Sequence, residues 1–235
     1  YLPGAKVLIT GLLEAAQKAP TKTQEAKEAI ALLKSWDFRV SKSSVEMTLT
    51  QFYLNAYYAS GSIPNTNGGK RVSRLEQFNH MSKTSAQSER LEIFETALNN
   101  LKEDFGSWQT PWGEFNRYQR NNGELFQEFD DAQPSLPVGM ASSLWGALAS
   151  FGTQFGEDTK RQYGTSGNSF VAVVEFGDKV RAKSMLAGGQ SSDPNSSHFD
   201  DQSQRYADGD FKDVAYYRKD VEKRAKSTYH PGDKR

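Results

Sequence analysis

The sequence predicts an α+β fold in which a mainly helical part precedes a part containing antiparallel strands and helices. In the first hundred residues, apolar positions recur every three or four residues, which is the spacing of a helix face. The strongest strand-like run is FVAVVEF at residues 170–176, and a Gly-Asp pair joins it to a second β-prone run at residues 179–185, as in a tight hairpin. We therefore expect a helical subdomain over residues 1–107 and a strand-and-helix portion over residues 108–235.

Composition excludes several classes of partner and site. The 235 residues are enough to bury a core, and 29 basic against 29 acidic residues supply no net field towards nucleic acid or anionic membranes. The chain has no Cys, which excludes disulfides, thiolate nucleophiles and Cys-based zinc sites. No apolar run approaches the ~20 residues of a membrane span. The start YLPGAKVLITG lacks a basic signal segment and an initiating Met, so we expect it to lie within a longer protein.

Three amphipathic helices are predicted in the first hundred residues. Two of them begin with capping-box spacing, Thr21 with Gln24 and Ser43 with Glu46. The third runs towards Gly106, a residue that commonly ends helices. Each has an apolar stripe that must be buried against a neighbour. The stripes are Ala29, Leu32, Leu33 and Trp36; Val45, Leu49, Phe52, Tyr53 and Ala56; and Leu91, Phe94, Leu98 and Leu101.

The second half changes character after Trp108. The aromatic run WQTPWGEFNRYQ is broken by Pro and Gly, and residues 130–139 hold two Pro and are predicted to form a loop. FVAVVEF is almost continuously apolar, which favours a central strand covered on both faces. If this is so, Val173→Asp would bury an unpaired charge and cost several kcal/mol of stability.

Most motifs that resemble chemical sites have a simpler interpretation. NTNGGKRVS at residues 65–73 is not a phosphate-binding loop, because Arg71 occupies the hydroxyl position and no Gly stands at the required upstream position. YGTSGNS at residues 163–169 departs from Gly-x-Ser-x-Gly and is interpreted as a turn before a strand. His80, His198 and His230 are scattered without metal-site spacing, so a zinc site is not predicted.

The polar segment LAGGQSSDPNSSHFDDQ at residues 186–202 is the strongest candidate for chemistry. It offers four side chains as ligands, but their spacing is not that of a calcium loop. These side chains are Asp193, His198, Asp200 and Asp201.

An architectural interpretation of this segment is favoured. In it, Gly188 and Gly189 let a strand exit sharply, and residues 193–195 form a turn. Ser196 or Ser197 then caps a helix containing HFDDQSQRYA.

Several stretches resemble the C-terminal part of the β chain of the penicillin acylase (penicillin amidase) family, including its acyl-homoserine-lactone acylase-like branch. They are LKSWD at 33–37, WGEFNRYQ at 112–119, GNSFVAVVEFG at 167–177, the run from Arg181 to Val214, and YHPG at 229–232. The likeness covers nearly the whole chain, and residues 167–214 carry its most specific part.

The resemblance implies an αββα sandwich of the N-terminal nucleophile hydrolase type. Its members are made as precursors that cut themselves to expose a Ser, whose α-amino group serves as base. An upstream Asn side chain and a backbone N–H form the oxyanion hole. None of these maps onto a residue here, and Tyr1 has no aliphatic hydroxyl for the attack. No catalytic, cofactor-binding or metal residue is therefore assigned to this chain.

The resemblance also implies the partners, the substrate and the location of the chain. It would be a C-terminal fragment of an N-acyl amide hydrolase, inactive alone and completed by the α chain and the N-terminal part of the β chain. Apolar faces would then be exposed in the isolated chain, and self-association would be one way to cover them. No cofactor is implied in this chain, and calcium is allowed in the full enzyme. The implied substrate is a small acyl amide of unspecified acyl group, and the implied location is periplasmic or secreted.

Two other classes of function stay open. The first is a non-catalytic interaction module, which fits the even charge and the lack of a recognisable nucleophile motif. The second is an independent hydrolase that uses Ser191, His198 and Asp200, and it requires these side chains to meet at hydrogen-bond distance.

Overall fold

The computed structural model describes residues 1–19, 21–64, 66–67, 69–124, 126–230 and 232. It divides into two compact units, Tyr1–Asn168 and Ser169–Arg235. Asn65 and Gly68 of the rejected phosphate motif, and Pro231 of the terminal YHPG, lie outside the described residues. The boundary near residue 107 rests on helix and strand content and stays a prediction.

Helices dominate the first 115 residues of the first unit. A π-helical turn, His80–Thr84, directly continues α4, and a 3₁₀ turn spans Ser143–Trp145. Among the described residues, no helix combines the length and apolarity needed to cross a membrane. The α-helices are α1 (Pro3–Lys18), α2 (Gln24–Lys34), α3 (Val45–Ser60), α4 (Arg74–Asn79), α5 (Gln87–Phe105) and α6 (Trp112–Phe115).

The predicted helices α2, α3 and α5 are present, but two of their predicted caps are wrong. Thr23, not Thr21, caps α2, because its hydroxyl accepts a hydrogen bond from the backbone N–H of Ala26 at 3.1 Å. At α3 the cap position is Ser44 rather than Ser43. The Ser44 hydroxyl accepts from the backbone N–H of Ser41 at 2.9 Å and so closes the preceding turn.

The core of the first unit is rich in large aromatic side chains. Phe52 lies edge-on to Phe115 with ring centroids 5.0 Å apart. Trp145 is fully buried, stacks on Phe78, and donates from its indole nitrogen to Gln51 Oε1 at 3.0 Å. These contacts join α3 to α6 and α4 to the 3₁₀ turn, and aromatic contacts of this kind dominate core energetics.

The first unit also contains a four-stranded sheet and a separate short hairpin with two residues in each strand. Its order is β4-β3-β6-β5, with β3 and β6 parallel and the other pairs antiparallel. The hairpin strands are β1 (Thr66–Asn67) and β2 (Lys70–Arg71), and the sheet strands are β3 (Asn116–Tyr118), β4 (Leu136–Pro137), β5 (Phe151–Phe155) and β6 (Gln162–Gly167).

One of the two loop predictions in this region is wrong. Residues 130–139 form a loop as predicted, apart from the two residues of β4, whereas YGTSGNS lies largely in β6 rather than in a turn. The Gly and Ser residues of β6 suit close packing, since a Cβ on Gly167 would lie 2.2 Å from the Ser150 carbonyl oxygen. Local composition predicted a turn there, whereas pairing with β5 made it a strand.

The second unit contains a three-stranded antiparallel sheet, order β7-β8-β9, and two short helices. The predicted hairpin between the first two strands is confirmed, although residues 176–180 connect them, so the turn is longer than the predicted Gly-Asp pair. The elements are β7 (Phe170–Glu175), β8 (Arg181–Leu186), α7 (Ser203–Asp208), β9 (Lys212–Val214) and α8 (Arg218–Arg224).

The prediction that FVAVVEF forms a central, doubly covered strand is wrong for this chain. β7 is an edge strand, and Phe170 and Val173 are each 60% exposed. Among the described residues, only one side of β7 is paired with a strand. β7 therefore has the composition of a buried strand, although it lies at an exposed edge of its sheet.

Val173→Asp is accordingly expected to change the stability of this chain by less than ~0.5 kcal/mol, the usual range for exposed substitutions. The reason is that the new carboxylate stays in water and suffers no desolvation. Native-state hydrogen exchange of the amides in β8 measures this directly. A loss of several kcal/mol would contradict the exposed position.

Candidate functional site

The polar segment of residues 186–202 leaves β8 and folds back on itself. The backbone N–H of Ser191 donates to the His198 carbonyl at 3.0 Å, and that of Gln202 donates to the Gly188 carbonyl at 2.9 Å. A Cβ on Gly189 would lie 2.1 Å from the His198 carbonyl oxygen, so only Gly permits this closure. The predicted sharp exit at the two glycines is confirmed.

Turns fill the middle of this segment. The predicted turn at residues 193–195 is confirmed, because the backbone N–H of Ser196 donates to the Asp193 carbonyl at 3.0 Å. The predicted helix cap at Ser196 or Ser197 is wrong, since α7 begins only at Ser203. The Ser196 hydroxyl instead accepts from the backbone N–H of His198 at 3.2 Å, within a further turn.

The segment does bring a histidine and a carboxylate together. His198 Nδ1 lies 2.9 Å from Asp201 Oδ2, so the acid partner is Asp201 and not Asp200, which the independent-hydrolase alternative requires. Both side chains face water, with 67% and 37% of their surfaces exposed. The Ser191 hydroxyl accepts a hydrogen bond from the backbone N–H of Asp193 at 3.1 Å and belongs to a turn.

A catalytic triad needs a shielded acid that orients the histidine towards the nucleophile. The pair formed by His198 and Asp201 is instead a solvent-exposed contact between residues three apart. Across the part of the chain that the structure describes, no group of three or more His, Asp or Glu residues could hold a metal ion. The segment is therefore best explained as a closed connection between β8 and α7.

A surface cavity of about 520 Å³ lies over one face of the sheet in the second unit. Its apolar lining includes Val173 and Phe211. The charged residues around it pair with one another, Arg181 with Glu175 at 3.8 Å and Lys183 with Asp213 at 3.9 Å. Asp210, which also lines the cavity, pairs with Arg205 at 3.4 Å, so each charged side chain at the rim has an ion-pair partner.

The first unit buries a polar network that the sequence did not predict. Arg90 is only 5% exposed and donates to the carbonyls of Gly11 at 3.2 Å and Ser85 at 2.8 Å. Its Nε also donates to the Ser85 hydroxyl at 3.2 Å, and Tyr57 donates to the Met81 carbonyl at 3.2 Å. Burial raises the pKa of the Tyr57 phenol.

One signal could have identified this network. Arg90 lies four residues before Phe94 and seven before Ala97, on the buried face of α5. A charged residue on an apolar stripe indicates either that the buried face of the helix was assigned wrongly or that the side chain has buried hydrogen-bond partners. Arg90 has buried partners, and its hydrogen bonds join α5 to α1 and to Ser85, the residue that follows the π-helical turn.

A second buried hydroxyl lies at β6. The Tyr163 phenol is buried, donates to Asp131 Oδ1 at 2.7 Å, and stacks on Phe129 with ring centroids 4.9 Å apart. Asp131 also accepts from the backbone N–H of Lys160 at 2.8 Å. Burial, followed by the hydrogen bond to Asp131, raises the pKa of the Tyr163 phenol. The contacts fasten the preceding loop to the sheet.

This shift predicts a pH dependence. Because the folded pKa of Tyr163 lies above the unfolded value of about 10, its contribution to stability is complete below pH 10 and is lost as the pH rises towards the folded pKa. Tyr163→Phe is expected to cost about 1.5 kcal/mol at neutral pH, the value of a hydrogen bond to a charged group. It should also flatten the alkaline loss of stability, which urea unfolding at several pH values measures. An unchanged alkaline profile would contradict this assignment.

The described residues thus form a mixed α+β fold of helices and mainly antiparallel sheets. Its sequence matches the family model of penicillin amidase over residues 1–223. The chain therefore belongs to the penicillin amidase family, whose members are amide hydrolases that act on C–N bonds other than peptide bonds. The resemblance seen in residues 112–119 and 167–214 is confirmed at the level of the family.

Proposed function

We propose that the chain is the C-terminal part of the β chain of an N-acyl amide hydrolase, and that the nucleophilic Ser lies outside this chain. The observation that carries the proposal is the family match over residues 1–223. The mixed α+β architecture is compatible with the αββα sandwich proposed for the whole enzyme. The acyl-homoserine-lactone acylase-like branch is proposed from the resemblance of residues 167–214.

The geometry of the polar segment supports a nucleophile elsewhere. Ser191 takes part in a turn with Asp193, and His198 pairs with an exposed carboxylate. An exposed ion pair contributes little orientation, because water competes for both partners. The contribution of this chain would then be structural, supplying strands and helices that support a site built by the rest of the enzyme.

Further properties of the whole enzyme belong to the same proposal. We propose self-processing of a precursor, a small acyl-amide substrate such as a penicillin or an acylated lactone, and a periplasmic or secreted location. Calcium, if the enzyme uses it, would bind outside this chain. These proposals rest on the resemblance and the family match.

An amide hydrolysis assay tests the proposal. Release of a chromophoric amine from phenylacetyl and long-chain acyl substrates is measured for this chain, for its Ser191→Ala variant and for the full precursor. We expect turnover only from the processed precursor, because the chain alone lacks the proposed nucleophile. Ser191→Ala in the precursor should leave turnover unchanged.

The opposite pattern would favour the independent hydrolase. Turnover by this chain alone that disappears in Ser191→Ala would overturn the proposal. His198→Ala separates the two further, since a base would be essential in the rival mechanism and dispensable in the exposed pair observed here.

A non-catalytic interaction module is the second candidate, and the exposed apolar residues of β7 favour it. This candidate predicts that the processed precursor binds acyl amides or another protein without turnover. The same assay therefore distinguishes it from the acylase.

A further inference from the structure

The loop between β3 and β4 contains an Asn followed directly by a Gly, Asn122–Gly123. In such a pair, the backbone nitrogen of the second residue can attack the side-chain carboxamide carbon of the first and close a five-membered ring. Gly at the second position favours the attack, because it has no Cβ to restrict the backbone rotation that brings the two atoms together. Asn122 is half-buried and Gly123 is exposed, so water reaches this part of the loop.

Two hydrogen-bond donors hold the Asn122 carboxamide by its oxygen. Asn122 Oδ1 accepts from the backbone N–H of Glu124 at 3.1 Å and from Gln127 Nε2 at 2.7 Å. Gln127 Nε2 also donates to the Glu124 carbonyl at 2.5 Å, which fixes the Gln127 amide in this position. Negative charge develops on Oδ1 when a nitrogen attacks Cγ, and donors placed on such an oxygen stabilise that charge. The arrangement therefore favours attack on the Asn122 carboxamide.

The nitrogen that would attack is not held by another contact. Within the described ranges, the Gly123 N–H makes no hydrogen bond. An N–H that is already hydrogen-bonded must first give up that bond, and the cost is added to the barrier. The other Asn-Gly pair in the chain includes Gly68, which lies outside the described residues.

Two other pairs with related chemistry are restrained. In Asn195–Ser196 the backbone N–H of the Ser donates to the Asp193 carbonyl at 3.0 Å. In Asp208–Gly209 the backbone N–H of the Gly donates to the Tyr206 carbonyl at 3.1 Å, at the end of α7. Both nitrogens are thus occupied, and both pairs serve as references within the same molecule.

We propose that Asn122 is a self-modification site, at which the chain converts its own carboxamide into an acid with the help of the two donors on Oδ1. The Gly123 nitrogen forms a bond to Cγ of Asn122 and the bond from Cγ to Nδ2 breaks. The proton from the Gly123 amide passes through solvent to the leaving nitrogen, which departs as ammonia. Water then adds to either carbonyl of the succinimide and opens one C–N bond, which leaves aspartate or isoaspartate. The net reaction consumes water and releases ammonia, without a change in oxidation state.

The product differs from the original chain in charge and in backbone. Each event replaces a neutral carboxamide by a carboxylate, so the formal net charge falls from zero to minus one. The isoaspartate form also lengthens the backbone of the loop between β3 and β4 by one carbon. Isoelectric focusing separates the modified chain from the unmodified chain.

Peptide mapping by mass spectrometry tests the site. The folded chain is incubated at mildly alkaline pH in water labelled with heavy oxygen, and each labelled peptide is quantified over time. We expect one labelled oxygen at Asn122, and slower labelling at Asn195 and Asp208. The matched variant Gly123→Ala should slow the reaction at Asn122 by roughly tenfold or more, equivalent to about 1.4 kcal/mol of barrier.

The role of the two donors needs a variant of its own. Gln127→Ala removes the donor at 2.7 Å and is expected to slow the reaction at Asn122 roughly threefold or more, since a hydrogen bond to the developing charge is lost. In concentrated urea the same substitution should have no effect, because the unfolded chain does not hold Gln127 against Asn122. Circular dichroism confirms that the variants are folded under the native conditions.

Three outcomes would overturn the proposal. The first is an Asn122 that stays unlabelled in the folded chain and becomes labelled in urea, which would show that the fold blocks the reaction. The second is faster labelling at Asn195 or Asp208 than at Asn122. The third is a Gln127→Ala variant that reacts at an equal or higher rate in the folded state, because the contacts to Oδ1 would then not promote the attack.

Discussion

Replacing Arg90 by Met is expected to lower the free energy of unfolding of the first unit by about 3 kcal/mol. The guanidinium donates to the carbonyls of Gly11 and Ser85 and to the Ser85 hydroxyl. Met fills much of the volume but donates nothing, so the two carbonyls lose this donor, while the Ser85 hydroxyl keeps its contacts with Tyr57 and the Met81 carbonyl. Each unsatisfied buried group costs roughly 1–3 kcal/mol, and the loss of the buried charge offsets part of that.

Urea unfolding followed by circular dichroism measures this change, since the network joins helices. Arg39→Met is the matched control, because Arg39 is in the same unit, its side chain is 79% exposed, and it forms a 3.8 Å ion pair with Asp37 in water. The control should change stability by less than ~0.5 kcal/mol. Equal effects of the two substitutions would refute a supporting role for the buried network.

Gly11→Ala is expected to destabilise the first unit by about 2 kcal/mol, although Gly to Ala in a helix normally gains about 1 kcal/mol. A Cβ at this position would lie 2.3 Å from the carbonyl oxygen and 2.4 Å from the Cα of Ser82. Both are backbone atoms of the π-helical turn, so no side-chain rotation relieves the clash. The helix must move away from the turn, and the hydrogen bond from Arg90 to the Gly11 carbonyl stretches with it.

Thr10→Ala provides the comparison, because Thr10 is the neighbouring residue of α1 and is exposed. It should be neutral or slightly stabilising, as helix propensity dictates. The same urea titration serves for both variants. A stabilising Gly11→Ala would contradict the close approach of α1 to the π-helical turn. In combination with Arg90→Met the costs should not add, since both substitutions act on one set of contacts.

The helical part was predictable to the extent that its signals are local. The stripe of Leu91, Phe94, Leu98 and Leu101 is buried as predicted, and α5 ends at Gly106 with a left-handed backbone. α1 escaped prediction because Leu2 precedes it without a capping side chain and only Pro3 marks its start. Periodicity finds a helix face, whereas the absence of a capping residue hides where the helix begins.

Sheet pairing was less predictable, since it joins residues that are far apart in the chain. Asn116 of β3 pairs with Gln162 of β6, and the Gln162 side chain donates to Asn116 Oδ1 at 3.1 Å. No local pattern encodes that partnership. The prediction for β7 was wrong for a different reason. Its apolar composition predicts cover on both faces, whereas the described residues leave β7 exposed at the edge of its sheet.

The polar segment shows the same limit on a smaller scale. The sequence alone predicted the sharp exit of the strand at two glycines and the turn at residues 193–195, and both are confirmed. It did not predict that His198 pairs with Asp201. The choice of Asp201 over Asp200 as the partner of His198 depends on how consecutive turns orient neighbouring side chains. Composition and spacing cannot predict which of two adjacent residues in a turn faces a given side chain.

The distribution of tryptophan gives each unit its own optical signature. All four Trp residues, Trp36, Trp108, Trp112 and Trp145, are buried in the first unit, and the second unit has none. Tryptophan fluorescence, excited at a wavelength that tyrosine does not absorb, will therefore report unfolding of the first unit and not of the second. If the second unit acquires its full stability only in a larger assembly, emission and amide exchange will give different midpoints, and a single melting temperature will not describe the chain.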